Sequence, residues 1–92
     1  MIKSFRSKGL RQFAEKGDGS KLSVQNHGKV RMILNALNAA TKPADMDIPG
    51  FKFHPLDHDR KGQYSVWVTG NWRITFSWDE GDAFNLDLED YH

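Results

Sequence analysis

The stretch Tyr64–Trp78, YSVWVTGNWRITFSW, decides the fold. Apolar and polar residues alternate on both sides of a Thr-Gly-Asn break, which is the period-2 pattern of two half-buried strands joined by a tight hairpin. Register matters most here, because a slip of one residue exchanges the two faces of a strand. With a loop of Gly70 and Asn71 alone, the face of Val66 and Val68 would carry Arg73 and Thr75, leaving the core half polar. With a loop of Thr69, Gly70 and Asn71, and Asn71 in the left-handed region, Tyr64, Val66 and Val68 line up with Trp72, Ile74 and Phe76. The three-residue loop is therefore expected.

Two more strands flank this hairpin, FKFH from Phe51 and AFNLDLED from Ala83, the latter entered through the turn-forming DEGD. In the chosen register Phe51, Phe53, Val66, Val68, Ile74, Phe76, Phe84, Leu86 and Leu88 share the core face. Lys52, His54, Trp67, Arg73 and Thr75 share the other. Upstream the period changes to 3.6. MIKSF reads as a short strand, SKGLRQFAEKG as a helix with Ser7 as N-cap and Gly17 closing it, and TKPADMDIPG as a linker with one helical turn. Between them Val30, Ile33, Leu34 and Leu37 mark the longest helix, capped by Ser23 and ending near Thr41 before Pro43. The expected fold is α+β: two N-terminal helices packed on one face of a mainly antiparallel sheet, in a single domain spanning residues 1–92. A ligand is expected on the uncovered face.

A chain of 92 residues buries roughly 60 to 65% of its unfolded surface and has room for one core. There is no 18-residue apolar run and no apolar region near Met1, so neither a membrane span nor a signal peptide is expected, and the mature chain should begin at or near Met1. The absence of cysteine excludes disulfides and thiolate chemistry and suits the cytoplasm. A net charge of +1 conceals an asymmetry, since residues 1–62 hold twelve Lys/Arg against six Asp/Glu and residues 63–92 hold Arg73 against six acids. A basic half can mark a polyanionic or acidic partner, although solvated helix faces are often basic too.

In FHPLDHDRKG, His54 and His58 stand four apart, but Pro55 opposes the helix that would bring both rings to one metal, and no metal or other cofactor is expected. His58, Asp57 and Asp59 read as a solvated loop. The C-terminal Asp90, Tyr91 and His92 are unusual for a strand end: either they fray, or two carboxylates, of Asp90 and of the terminus, hold an imidazolium in orientation.

Taken together, MIKSF, HPL, GNWRITF and the terminal EDYH resemble the HigB branch of the RelE/ParE toxin superfamily, in order and over nearly the whole chain. The resemblance implies a microbial ribonuclease fold, ribosome-dependent cleavage of mRNA in the decoding site, neutralisation by a HigA-like antitoxin and operator DNA binding by the antitoxin complex. It also implies active positions at His54, Arg73, Asp90, Tyr91 and His92. Lys52, Arg60, Lys61 and Trp67 are the expected contacts to RNA or the ribosome. Relatives often carry a basic loop after HPL, whereas this one reads Asp57, His58, Asp59, so Arg60 and Lys61 are its nearest phosphate-binding substitutes.

Metal-free RNA cleavage needs a base for the 2′-hydroxyl proton, an acid for the leaving 5′-oxygen and a cation for the phosphoryl charge. His92, oriented by Asp90, fits the base, His54 the acid and Arg73 the cation, with Tyr91 against a splayed nucleobase; the two histidines can exchange roles. Two other readings stand beside this one. A ParE-like inhibitor of DNA gyrase would keep the fold without the chemistry, and a non-enzymatic RNA- or protein-binding module would use Trp67 and Lys52.

Overall fold

The computed structural model describes residues 1–91. In chain order it has helices α1 (Lys8–Lys16) and α2 (His27–Ala39), then strands β1 (His54–Pro55), β2 (Gln63–Thr69), β3 (Trp72–Asp79) and β4 (Asp82–Asp90). Short 3-10 turns lie at Pro43–Met46 and His58–Arg60. The strands form an antiparallel sheet in the order β1-β2-β3-β4. The α+β reading from sequence holds. Among the described residues no helix is long and apolar enough to cross a membrane.

Helix α1 begins and ends where its caps dictate. Ser7 accepts a hydrogen bond from the Leu10 amide at 3.1 Å, and Gly17, at φ 70°, donates to the Phe13 carbonyl at 2.9 Å. Helix α2 starts later than expected, with Asn26 rather than Ser23 as its cap, accepting from the Lys29 amide at 3.1 Å. Val24, ahead of that cap, is buried in the core. Leu10 and Phe13 of α1 and Val30, Ile33, Leu34 and Leu37 of α2 join Val66, Val68, Ile74, Phe76, Ala83 and Leu86 in one buried cluster. Aromatic rings extend that cluster along the sheet, Phe53 stacking on Tyr64 and Tyr64 on Phe76.

The central hairpin has the expected faces for a different reason. Val66 pairs with Ile74 and Tyr64 with Phe76, but Thr69 pairs with Trp72, so the loop is only Gly70 and Asn71. The left-handed residue is Gly70, at φ 54°, not Asn71. A β-bulge between Trp67 and Thr69 supplies the extra residue, Val68, and thereby keeps Val66 and the buried Val68 both in the core.

A second bulge corrects the last strand. Glu80 and Gly81, both with positive φ, make the two-residue turn that pairs Asp79 with Asp82. Between the Ser77–Phe84 and Thr75–Asp87 pairs, Asn85 and Leu86 oppose Phe76 alone, with Asn85 at φ 55°. Alternation changes phase there, so Leu86 and Leu88 meet the core as expected while Ala83 takes the position assigned to Phe84. Phe84 lies beside Ser77 on the open face.

The N-terminal segment is less regular than a strand. It makes two parallel bridges to the β4 edge, Ile2–Ala83 and Phe5–Leu86, separated by the Asn85 bulge, whose amide donates to Ser4 Oγ at 2.9 Å. Similarly FKFH yields only the pair His54–Pro55, because Lys52 is left-handed, at φ 48°. Phe51 and Phe53 still reach the core, Phe51 fully and Phe53 in part.

Candidate active site

Two neighbouring cross-strand rows build the open face. One runs His54, Ser65, Thr75 and Asp87 across the four strands, and the other runs Trp67, Arg73 and Glu89. Side chains opposite each other on one face lie within contact distance, so residues far apart in sequence become neighbours. Lys52, His54, Ser65, Trp67, Arg73 and Tyr91 line a cleft of about 220 Å³ on this face. Of the positions expected from sequence, Lys52, His54, Trp67, Arg73 and Tyr91 thus come together.

His54 is exposed at the sheet edge. Its Nδ1 is 3.2 Å from the Lys52 carbonyl and 3.5 Å from Ser65 Oγ. A carbonyl can only accept, so the contact with Lys52 is a hydrogen bond in the tautomer that carries its proton on Nδ1. The left-handed turn at Lys52 puts that carbonyl within reach of the ring. Ser65 is absent from the positions expected from sequence; it is buried, and only its pairing with His54 reveals it.

Trp67 forms a wall of the cleft and is itself fixed, donating from Nε1 to the Gly70 carbonyl at 2.9 Å. The ammonium groups of Lys52 and Lys29 each lie 4.4 Å from its ring centre. Lys29 reaches there from α2 and also donates to the Gly50 carbonyl at 2.8 Å. Burial, and then the charge of Lys52, lower its pKa.

Arg73 has its guanidinium 4.6 Å from the Tyr91 ring centre. Its one side-chain hydrogen bond among the described residues runs from Nη2 to Glu89 Oε1, at 3.3 Å, and its buried Nε has no partner among them. Tyr91 is held by its backbone, whose amide donates to the Asn71 carbonyl at 2.9 Å, and the residue is 45% exposed. Asp90 is exposed and pairs with Trp72 across the ladder. His92 lies outside the described residues.

Arg60, another position expected from sequence, is engaged within the protein. Its Nη1 and Nη2 donate to the two oxygens of Glu89 at 2.8 and 2.6 Å, and its Nε and Nη2 donate to Gln63 Oε1 at 3.2 and 2.8 Å. Every nitrogen of its guanidinium has a protein partner. Lys61 is exposed at the end of the 3-10 turn and does not line the cleft. Glu89, missed in the sequence, is the hub: it accepts from Arg60, from Arg73 and from Thr75 Oγ1 at 3.0 Å. The Arg60 hydrogen bonds above all, with those of Thr75 and Arg73, hold its carboxyl at about 2, against the opposing effect of burial.

This arrangement offers a cation in contact with an aromatic ring, an imidazole, and a tryptophan wall flanked by lysines, which suits a phosphate-linked, base-bearing ligand. A family model described as the RelE-like toxin of type II toxin-antitoxin system HigB matches residues 3–92. The chain is 44% identical over 92 residues to a Proteus vulgaris protein named Endoribonuclease HigB, covering all of both chains. It is 33% identical over 93 residues to a Vibrio cholerae protein named Toxin HigB-1, covering 97% of this chain and 96% of that one. Among solved structures, a crystal structure of a YafQ mutant from E. coli superposes with a TM-score of 0.59 at 15% identity, over 98% of this chain and 93% of that one, a likeness of fold. By family match and full-length identity, the chain belongs to the HigB family of RelE-like toxins of type II toxin–antitoxin systems.

Proposed function

We propose that this toxin is an endoribonuclease that cuts mRNA in the decoding site of the ribosome, by metal-independent attack of the substrate's own 2′-hydroxyl on the adjacent phosphorus. The observation that carries the reading is the meeting of His54, Arg73 and Tyr91, with Lys52 and Trp67, in one cleft of a chain from this family. Arg73 meets the charge that grows on the phosphoryl oxygens. His54 protonates the leaving 5′-oxygen through Nε2, with Nδ1 tied to the Lys52 carbonyl. His92 removes the 2′-hydroxyl proton, oriented by Asp90. The Tyr91 ring, which has Arg73 against it, and Trp67 receive unstacked bases, and Lys52 meets the flanking phosphate. Lys61 contacts RNA or the ribosome outside the cleft.

A short cleft of this kind holds few nucleotides, so the ribosome supplies the in-line geometry that positioning contributes to rate. Its physiological counterpart is an antitoxin of the HigA type, and their complex binds operator DNA. Expression of the chain alone tests the reading. Growth arrest accompanied by cuts confined to translated mRNA supports it. Arrest with DNA damage and intact mRNA would replace it with gyrase inhibition, and cuts at equal rate on naked RNA would remove the ribosome.

A further inference from the structure

The open face carries two arginines and one carboxylate between them, with unequal bonds. Arg60 grips both oxygens of Glu89, at 2.6 and 2.8 Å, whereas Arg73 reaches one of them at 3.3 Å. Gln63 fixes the Arg60 fork from its other side, and Thr75 fixes Glu89. None of the three charged side chains is more than a third exposed, so their mutual charges are only partly screened. As a set they carry one net positive charge. The two-point bond of Arg60 claims the carboxylate, and the charge left over sits on Arg73, beside Tyr91 in the cleft.

We propose that Arg60 is a positioning residue that acts through Glu89: by holding that carboxylate it keeps Arg73 an unneutralised cation directed at the substrate phosphate. This rests on the reading of Arg73 as the phosphate-facing cation. Without Arg60, Glu89 has only Arg73 as its charged neighbour in the row and pairs with it in the two-point geometry that arginine and carboxylate favour. The cleft then loses its cation although Arg73 is still present. The dominance of Arg60 among the influences on the Glu89 carboxyl agrees with this division.

The test measures kcat and KM for cleavage of an end-labelled mRNA on programmed ribosomes by Arg60→Ala, Glu89→Gln, their double variant and Arg73→Ala. Arg60→Ala is expected to lower kcat by about 10- to 100-fold, the worth of a charge-assisted hydrogen bond in the transition state, with KM nearly unchanged. Adding Glu89→Gln should restore most of that loss, because the quenching carboxylate is gone. Arg60→Lys keeps a cation without the fork and serves if the alanine variant melts below the assay temperature; Glu89→Gln should likewise raise its kcat. A double variant no faster than its Arg60 parent would overturn the proposal. So would an Arg60→Ala protein with unchanged kcat, raised KM and a shallower salt dependence, which marks a direct phosphate contact. Full activity of Arg73→Ala would instead remove the reading of the cleft on which the proposal stands, whereas an inactive Arg73→Ala without suppression would sink the proposal alone.

Discussion

At the scale of single residues, placement on a common face was legible where residue type is restrictive. His54, Arg73 and Trp67 stood out because few side chains exchange protons, meet phosphate or stack on bases, and alternation put them on one face. Glu89 was not legible, since an acid near the end of a strand looks like any solvated acid until its neighbours are known. Its setting makes a pH prediction. Its carboxyl is held at about 2 instead of 4.5, so its bonds stabilise the fold fully above the unfolded value and are lost as pH falls through the folded one. The loss, about 3 kcal/mol, should fall between about pH 5 and pH 2. Urea unfolding across that range should show the stability gap between wild type and Glu89→Gln closing toward the acid end; a constant gap would mean that the carboxylate's charge is not what stabilises. His92→Gln should lower cleavage by about 10² to 10⁴, the contribution of a placed proton-transfer group, in a protein with an unchanged melting temperature. Near-full activity would shift the base to His54.

At the scale of elements, helices and strands followed their periods, while both bulges escaped detection. A bulge is one residue of slip, and nothing in VWVTGN or DAFNLD distinguishes an added residue from a longer loop. The Val68 bulge leaves the faces as the loop assumption had them, so that error was silent. The Asn85 bulge is not silent. If the pairing of Asp79 with Asp82 continued unbroken, Arg73 would oppose Leu88; the extra residue puts Glu89 beside it instead. The charged network of the site therefore depends on a left-handed asparagine at the far end of the strand. Asn85→Val, which forces a β-branched residue into that conformation, should cost about 1 to 3 kcal/mol and depress cleavage beyond what the lost stability explains. Thermal melting with an activity assay well below the melting point checks this. Native stability and activity in the Asn85→Val protein would show that the bulge is dispensable.

At the scale of the whole molecule, the fold joins a basic first part to an acidic last part, and the cleft lies where Lys52 and His54 from one meet Arg73 and Tyr91 from the other. Length and period were enough to expect an α+β layer pair, because 92 residues with two amphipathic helices and a hairpin have few other ways to bury Val30, Ile33, Val66 and Ile74 together. The uncovered face was legible as well, through the alternation that puts Lys52, His54, Trp67 and Arg73 on it, whereas the Glu89 network upon it was not. An acidic surface on the antitoxin should be drawn to the basic part, so its association rate should fall as salt rises; stopped-flow rates that are flat across ionic strength would remove long-range charge from that encounter. The most direct test of the central claim, that the cleft cuts RNA through the substrate's 2′-hydroxyl without metal, is the end chemistry of the product. Messenger RNA on ribosomes, incubated with the purified toxin in excess chelator, should be cut to fragments with 5′-hydroxyl ends and 2′,3′-cyclic or 3′-phosphate ends. Fragments with 5′-phosphate ends, or no cleavage until a divalent cation is restored to a chelated but intact ribosome complex, would contradict it.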